Sequence, residues 1–241
     1  MKVHSFNRNG QNISFCVNNE SDVIQSCHSR LGFYEEKELD DIALVLPNHG
    51  IIVDVGANVG NHVVYFSKLG RAHTVIPFEP NPSAIEVLKK NIEINNILSR
   101  VDLSYIGVGV GKEETYLSLD FALAENNLGA VRLSHESPNS KIRINTLDNM
   151  LINVKPDFIK VDVEGMELDV LLGAQRIISE CRPILYIETI PRTRLDIYKW
   201  LESNKYRIDR THSRLDYPHF DRHRYSLIKL NGDSYGKRTI C

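Results

Sequence analysis

The sequence predicts a three-layer α/β fold built on a mostly parallel sheet, and two alternating patterns carry this prediction. Largely apolar runs such as residues 51–53 (IIV) and 158–161 (FIKV) are typical of strands that are covered on both faces. Between such runs, segments such as residues 82–95 carry apolar side chains on one helical stripe. Strands that alternate with helices in this way build parallel sheets through right-handed crossovers.

The predicted elements follow one another along the chain. Strands are predicted at residues 51–53, 74–78, 102–106, 158–161 and 184–187, with closing strands near 206–208 and 226–230. Helices are predicted at 34–46, 82–95 and 194–203, and a single helix carries the apolar positions between 168 and 177. Residues 1–33 are expected to form an N-terminal decoration with a hairpin at Asn9-Gly10, and residues 34–241 the main domain. Residues 112–153, called the excursion below, do not follow this alternation of strands and helices. They contain a possible strand at 115–119 and are expected to cross the active-site edge.

Bulk properties narrow the class of protein. The chain has 241 residues and a formal net charge of −2, so no basic surface points to nucleic acid. It lacks the stretch of about 18 apolar residues that a membrane span needs, and its start, MKVHS, is not that of a signal peptide. The four scattered cysteines are interpreted as reduced thiols. We therefore expect a cytoplasmic protein that acts on a small molecule or a glycan, with its oligomeric state open.

Acidic residues stand at the ends of four predicted sheet strands. Asp54 follows the first strand, Glu79 the second, Asp162 the fourth and Glu188 the fifth. Because ligands of open parallel sheets bind outside the carboxyl ends of the strands, these carboxylates mark a candidate site.

The turn after the first strand points to the kind of ligand. Gly56 and Gly60 permit a tight strand-to-helix turn with close approach of the backbone to a cofactor. The dinucleotide fingerprint needs glycines at positions 58 and 61, where this chain has Asn58 and Asn61. A cofactor without a pyrophosphate, such as S-adenosylmethionine, therefore fits better. The alternative is that the glycines only pack helix against strand.

Two carboxylates give that cofactor its expected partners. Asp54 is placed to meet its amino-acid end together with the backbone of the turn. Glu79 is placed to accept from its ribose hydroxyls. Glu79 alone is weak support, because nicotinamide cofactors also use an acidic residue there.

Several ordered blocks resemble one known family. They are GFYE at 32–35, DVGANVGNH at 54–62, FEPNP at 78–82, TLD at 146–148 and IKVDVEGME at 159–167. In these the chain resembles the FkbM family of S-adenosylmethionine-dependent methyltransferases. The resemblance implies a class I methyltransferase fold, with a seven-stranded sheet whose last strand is antiparallel. It also implies O-methylation of sugar or natural-product hydroxyls.

The turn and these blocks together define the expected cofactor site. Its residues are Glu35, Asp54, Gly56, Asn58, Gly60, Asn61, Glu79, Pro80, Asn81, Val108 and Asp162. Glu35 is expected to close over the amino-acid end of the cofactor. Val108 lies in GVGVG at 107–111, where relatives often carry a polar residue and an alanine, so the details of adenine recognition do not carry over from the resemblance there.

Asp162 and Glu164 are the candidate catalytic residues. Methyl transfer from a sulfonium requires an aligned acceptor and a base for its proton. If the chain stays extended after the fourth strand, both carboxylates point the same way, and one of them is the base. The alternative for Glu164 is a cap on the following helix. Asp162 and Glu188 could also supply ligands to a divalent metal, although we expect none.

The roles of several other polar residues remain open. The segment around His212, His219 and His223 with Arg210, Arg214, Arg222 and Arg224 could be an acceptor-binding lid, and Asn126 could reach the active site. His62 is expected to decorate a helix terminus rather than face the cofactor. The competing functions are N-methyl transfer, a nicotinamide-dependent oxidoreductase, and a cofactor-binding protein without catalytic activity.

Overall fold

The computed structural model describes residues 1–120, 128, 131–134, 141–213 and 224–230. The strands are β1 Lys2–Arg8, β2 Gln11–Val17, β3 Ile51–Val55, β4 Thr74–Phe78, β5 Gly109–Val110, β6 Thr115–Asp120, β7 Arg132–Ser134, β8 Lys141–Asn145, β9 Phe158–Val161, β10 Ile184–Thr189, β11 Tyr206–Ser213 and β12 Arg224–Leu230. The helices are α1 Val23–Ser29, α2 Glu36–Ala43, α3 Asn61–Lys68, α4 Pro82–Ile94, α5 Leu147–Met150, α6 Glu167–Leu172, α7 Gln175–Cys181 and α8 Pro191–Ser203. None of the helices described in these ranges is long and apolar enough to cross a membrane.

The main sheet has the order β11-β12-β10-β9-β3-β4. Strands β10, β9, β3 and β4 run parallel, and β12 pairs antiparallel with both β10 and β11. Successive residues face opposite layers: Ile52 and Phe158 pack under α3 and α4, whereas Val53 and Ile159 pack under α6 and α7. The three-layer class I methyltransferase fold is thus confirmed, including the antiparallel closing strand.

The strand predicted at 102–106 is wrong. Only Val101 forms a bridge, with Val75 of β4, and the described part of the sheet has six strands rather than seven. The Asp102 side chain accepts hydrogen bonds from the Ser104 backbone N–H (2.9 Å) and hydroxyl (2.5 Å). This local turn competes with the sheet for the backbone and bends the chain away.

The single helix predicted between 168 and 177 is also wrong, since the structure has α6 and α7 with a break between them. The break falls at Gly173, where a Cβ atom would lie 2.1 Å from the carbonyl oxygen of Gly111. The close approach of these two backbones ends α6. A distant part of the chain therefore divides the helix.

Residues between β4 and β9 form a second, four-stranded sheet with the order β5-β8-β6-β7. The strand expected at 115–119 is confirmed as β6. Apolar residues of this small sheet form their own cluster, which Met166 joins from the main sheet edge.

The N-terminal hairpin β1–β2 is confirmed, with Asn9 and Gly10 both in the left-handed region. It packs on α4, where Asn91 Oδ1 accepts from the Cys16 N–H (2.7 Å), and on the residue after α4, where Asn95 Oδ1 accepts from the Ser14 N–H (3.0 Å). Its buried side chains share one apolar cluster with α3 and α4.

Candidate functional site

A cavity opens at the carboxyl ends of β3, β4, β9 and β10, the edge that the acidic residues predicted. Its volume is about 1120 Å³, with the open space at its mouth included. The expected site residues that line it are Gly56, Asn58, Asn61, Glu79, Pro80, Asn81, Val108, Asp162, Glu164 and Glu188. Of the expected residues, Glu35, Asp54 and Gly60 are not among those that line the cavity. They lie behind its wall.

A positive φ and a close neighbour favour glycine at both positions of the turn. Gly56 has a φ of +83°, and a Cβ atom there would lie 1.8 Å from the carbonyl oxygen of Asp162. Gly60 has a φ of +88°, and its Cβ atom would lie 2.5 Å from Leu88 Cδ1 on α4. These contacts are the ones expected from the alternative that the glycines pack helix against strand. Gly56 also lets the ends of β3 and β9 meet under the cavity floor.

Glu79 is held in place at one end of the cavity. One carboxylate oxygen accepts the Asn58 N–H and the other accepts the Asn81 N–H, each at 2.8 Å. The side chain is buried, and burial raises the pKa of Glu79 to about 7 despite these two hydrogen bonds. Each oxygen keeps a second lone pair for a ligand.

Lys160 is the central charged residue that sequence reasoning missed. Its Nζ lies 3.2 Å from Asp54 Oδ1 and 3.4 Å from Asp162 Oδ2, and it donates to the Gly56 carbonyl oxygen at 3.2 Å. Burial alone would lower the pKa of Lys160, but the two carboxylates outweigh it and the net shift is upward. The sequence did contain an indication of this role, because Lys160 is a lone lysine inside a strand that is covered on both faces.

Asp54 lies within β3 rather than after it, because β3 extends to Val55. It is in register with Lys160 of β9, and its side chain is completely buried. The expectation that Asp54 follows the strand and faces the ligand is therefore corrected. In this structure its partner is the Lys160 ammonium. Glu188 likewise lies inside its strand, β10.

Three carboxylates gather at the other end of the cavity. Oxygens of Asp162, Glu164 and Glu188 lie within 4.8 Å of one another. Burial, and then the charge of Asp162, raises the pKa of Glu164 to about 8, while Arg132 and Arg192 oppose the shift. Burial and the same neighbouring carboxylates raise the pKa of Glu188 well above its ordinary value. Such a trio can share protons or supply oxygen ligands to a divalent cation.

The backbone at Glu164 differs from the extended chain expected there. Its φ is +54°, so it lies in a left-handed turn, and it nevertheless faces the cavity with Asp162. The capping alternative is not observed. Helix α6 begins after Met166, and the carboxylate of Glu167 accepts the Gly165 N–H at 2.7 Å.

Asn61 fastens the segment before α2 to the turn. Its Oδ1 accepts the Tyr34 N–H and its Nδ2 donates to the Tyr34 carbonyl, each at 2.9 Å. His28 Nε2 lies 3.0 Å from the same Oδ1. Most of the hydrogen-bonding capacity of Asn61 is therefore used within the protein, and Asn61 acts on the cavity wall mainly by positioning Tyr34.

His62 faces the cavity, contrary to the expectation that it decorates a helix terminus. Its Nε2 lies 3.4 Å from Glu35 Oε2, and both side chains are buried. Burial, with the nearby Lys160 charge, lowers the pKa of His62 to about 4. His62 is therefore neutral at pH 7, and Glu35 contacts it from behind the wall.

The described part of the C-terminal tail does not supply a lid. Arg210 and His212 lie on β11 and face Asp41, at 2.5 Å and 3.5 Å, and neither lines the cavity. Arg224 lies on β12. The remaining residues of that hypothesis, Arg214, His219, Arg222 and His223, and Asn126 of the excursion, lie outside the described residues.

The sheet order, the glycine turn after β3 and the carboxylate after β4 together define a class I methyltransferase fold with a ligand cavity at the expected edge. Comparison with known families identifies the family within this fold class. The model of the methyltransferase FkbM domain matches residues 54–208, which is more than half of the chain. The chain belongs to this family.

Individual relatives agree with the family. "Methyltransferase 1" of Beauveria bassiana is 27% identical over 150 residues, which cover 53% of this chain and 59% of the relative. "Hexuronic acid methyltransferase AglP" of Haloferax volcanii is 30% identical over 144 residues, covering 58% and 52%. The crystal structure of methyltransferase FkbM from Methylobacillus flagellatus KT has 25% identity and a TM-score of 0.54, covering 74% and 43%. The chain thus spans about half of the length of such relatives.

Proposed function

We propose that this chain binds S-adenosylmethionine in the cavity and transfers its methyl group to a hydroxyl oxygen of a small natural product or a sugar. One observation carries the proposal: a single cavity is lined by Glu79, which follows β4, and by Asp162 and Glu164, which follow β9 on the other side of β3. The Glu79 end suits a ribose diol and the Asp162 end a proton acceptor. Membership in the FkbM family supports the same reaction class.

The residues around Glu79 fit a nucleoside-like group. Asn58 Oδ1 and Asn81 Nδ2 are buried and have no hydrogen-bond partner among the described residues. Both residues line the cavity next to Glu79. Buried polar atoms are nearly always paired, so one acceptor and one donor here await a ligand. Asn58, Glu79 and Asn81 would hold the ribose end of the cofactor.

When bound, the cofactor supplies an electrophilic methyl group on a sulfonium. The protein then has two tasks, which are to align the acceptor oxygen and to take its proton. A carboxylate at the Asp162 end would take the hydroxyl proton as the acceptor oxygen gains the methyl group from the sulfonium.

Of the two candidate bases, Glu164 fits the proton transfer better. The Asp162 carboxylate is held by the Lys160 ammonium, which stabilises its charge and its orientation. Glu164 has a pKa near 8, and a base is most effective when its pKa lies near the working pH. Asp162 therefore orients the site and Glu164 receives the proton.

Calorimetric titration with S-adenosylmethionine, S-adenosylhomocysteine and NAD tests the cofactor. Both sulfur compounds should bind and NAD should not, whereas preferential binding of NAD would favour an oxidoreductase. Methyl transfer from labelled cofactor to a panel of hydroxy compounds and amines then tests the reaction. Cofactor binding without transfer to any of them would favour a non-enzymatic role, and transfer only to amines would favour N-methylation.

A further inference from the structure

Asp22 joins two parts of the chain that are 106 residues apart. Its Oδ1 accepts the backbone N–H groups of Ile24 (3.1 Å) and Gln25 (2.9 Å), which caps helix α1. Its Oδ2 accepts the N–H of Leu128, in the excursion between β6 and β7, at 2.8 Å. The side chain is completely buried. Both oxygens are thus engaged, and only one of them serves the helix.

The helix cap alone does not account for a carboxylate at this position. Serine, threonine and asparagine cap helices about as well as aspartate and carry no charge. Burying a carboxylate is costly, and burial raises the pKa of Asp22 despite its three N–H donors. The second oxygen, which holds Leu128, is what the carboxylate adds.

This link completes an apolar wall of the cavity. The wall consists of cavity-lining aliphatic residues from α1, from the excursion and from the small sheet: Val23, Ile24, Leu119, Leu128, Val131 and Leu133. Their side chains carry no hydrogen-bonding group. Helix α1 is fixed at its other end by His28, which contacts Asn61.

The apolar wall adjoins the carboxylate end of the cavity. Met166, two residues after Glu164, packs on the same cluster as Val131 and Leu133. Arg132, between those two residues, is close enough to Glu164 to influence its pKa. A group bound beside Glu164 therefore meets aliphatic side chains on one side and carboxylates on the other.

We propose that Asp22 is a positioning residue for the methyl acceptor. By fastening α1 to the chain at Leu128, it holds the apolar wall beside Glu164, and this wall takes an uncharged acceptor with an apolar body around its hydroxyl. An anionic acceptor is disfavoured, because the aliphatic wall offers an anion no hydrogen-bond donor and Lys160 is already paired with Asp54 and Asp162. The inference rests on the proposed methyl transfer.

Two variants separate the link from the cap. Asp22→Asn and Asp22→Ser both keep a capping oxygen for α1, but neither retains a second oxygen to accept the Leu128 N–H. Asp22→Ala removes both functions. The peptide that contains Leu128 should exchange amide hydrogen faster in both capping variants than in the wild type, and unchanged exchange would overturn the link.

Binding measurements test the role of the wall. The probes are 2-naphthol, an uncharged hydroxy compound, and glucuronate, an anionic one, each in equilibrium dialysis at saturating S-adenosylhomocysteine. The wild type should bind 2-naphthol and not glucuronate, and Asp22→Asn should weaken 2-naphthol binding about fivefold, the usual effect of one lost hydrogen bond. Affinity for S-adenosylhomocysteine should stay within about twofold, since the cap and the Glu79 end are intact.

Every other outcome of these measurements contradicts a particular part of the inference. Equal losses for 2-naphthol and S-adenosylhomocysteine would mean that the wall faces the cofactor, and unchanged 2-naphthol binding in Asp22→Asn would mean that the wall does not depend on Asp22. Wild-type binding of glucuronate, or none of 2-naphthol, would overturn the acceptor class. If the wild type fails to bind S-adenosylhomocysteine, the proposed methyl transfer itself fails, and the exchange measurement still decides the link.

Discussion

The ammonium of Lys160 lies 3.4 Å from the carboxylate of Asp162, and both residues line the cavity. The same ammonium lies 3.2 Å from the buried carboxylate of Asp54. These three charged groups thus form one network across β3 and β9, in which Lys160 and Asp162 line the cavity and Asp54 does not. The network fixes the orientation of Asp162 and separates Asp54 from the ligand.

Removing the Lys160 charge should destabilise the protein strongly. Lys160→Met keeps the volume and leaves Asp54 as an uncompensated buried charge, so the free energy of unfolding should fall by about 3–5 kcal/mol. The matched control is Lys112→Met, because Lys112 forms an exposed pair with Asp169 and such pairs contribute little. Urea unfolding measures both. Equal stability of the two variants would contradict the buried network.

Replacing Gly56 by alanine should disrupt the floor of the site. The new Cβ atom would collide with the Asp162 carbonyl, in addition to the strain of a positive φ. Gly107→Ala is the matched control, since Gly107 has a φ of +89° and no atom within 4 Å of a new Cβ. The control should cost about 1–2 kcal/mol, from strain alone. Thermal unfolding should show a clearly larger loss for Gly56→Ala; equal losses would mean that the two strand ends do not meet closely.

The rate of methyl transfer should rise with pH up to about 8. Glu164 must be deprotonated to accept a proton, and its raised pKa of about 8 leaves it mostly protonated below that pH. The value of kcat/KM should therefore fall roughly tenfold per unit on the acidic side. Glu164→Gln should abolish this fall of kcat/KM on the acidic side. The control is Glu180→Gln, on the exposed face of α7, which should preserve it. A wild-type rate that is flat from pH 6 would exclude Glu164 as the base.

The cluster of Asp162, Glu164 and Glu188 also allows a direct test for a metal. With Glu164 as the proton acceptor, treatment with a chelator should leave the rate unchanged. A loss that magnesium restores would instead assign the trio to a divalent cation, which would act on the acceptor hydroxyl.

Acidification should destabilise the protein through His28. This buried side chain stacks on Phe15, and burial lowers the pKa of His28 to about 4. The unfolded chain takes up the proton near pH 6.5 and the folded one only near 4, so stability is full above 6.5 and falls as pH drops through this window. Urea unfolding at several pH values should give a shallower dependence for His28→Gln than for the wild type. The exposed His73→Gln should leave the slope unchanged, and the same slope in both variants would refute this origin.

Much of the fold could be predicted because it depends on local patterns. The strands near 51–55, 74–78 and 158–161 are covered on both faces, so their composition alone distinguishes them. The failures depend on particular contacts. The Asp102 side chain turns the chain where a strand was expected, and Gly111, 62 residues before Gly173, breaks a helix with continuous apolar spacing.

The candidate site shows the same difference between features that local patterns predict and features that depend on particular contacts. The edge of the sheet was predictable, since strand ends in a parallel sheet share one side. The partner of Asp54 was not, because strand register decides that Lys160 lies beside it. The positions of Glu35 and Gly60 behind the wall, and the contribution of α1 to the cavity, depend on tertiary packing that spacing does not encode.

The central claim is that the Glu79 end of the cavity binds the adenosine part of S-adenosylmethionine. Calorimetric titration of the wild type and Glu79→Gln with S-adenosylhomocysteine tests it most directly. The wild type should bind, and the variant should bind at least about tenfold more weakly, because an amide offers only one acceptor oxygen to two backbone N–H groups and a ribose. Equal affinities of the two proteins, or no binding by the wild type, would contradict the account.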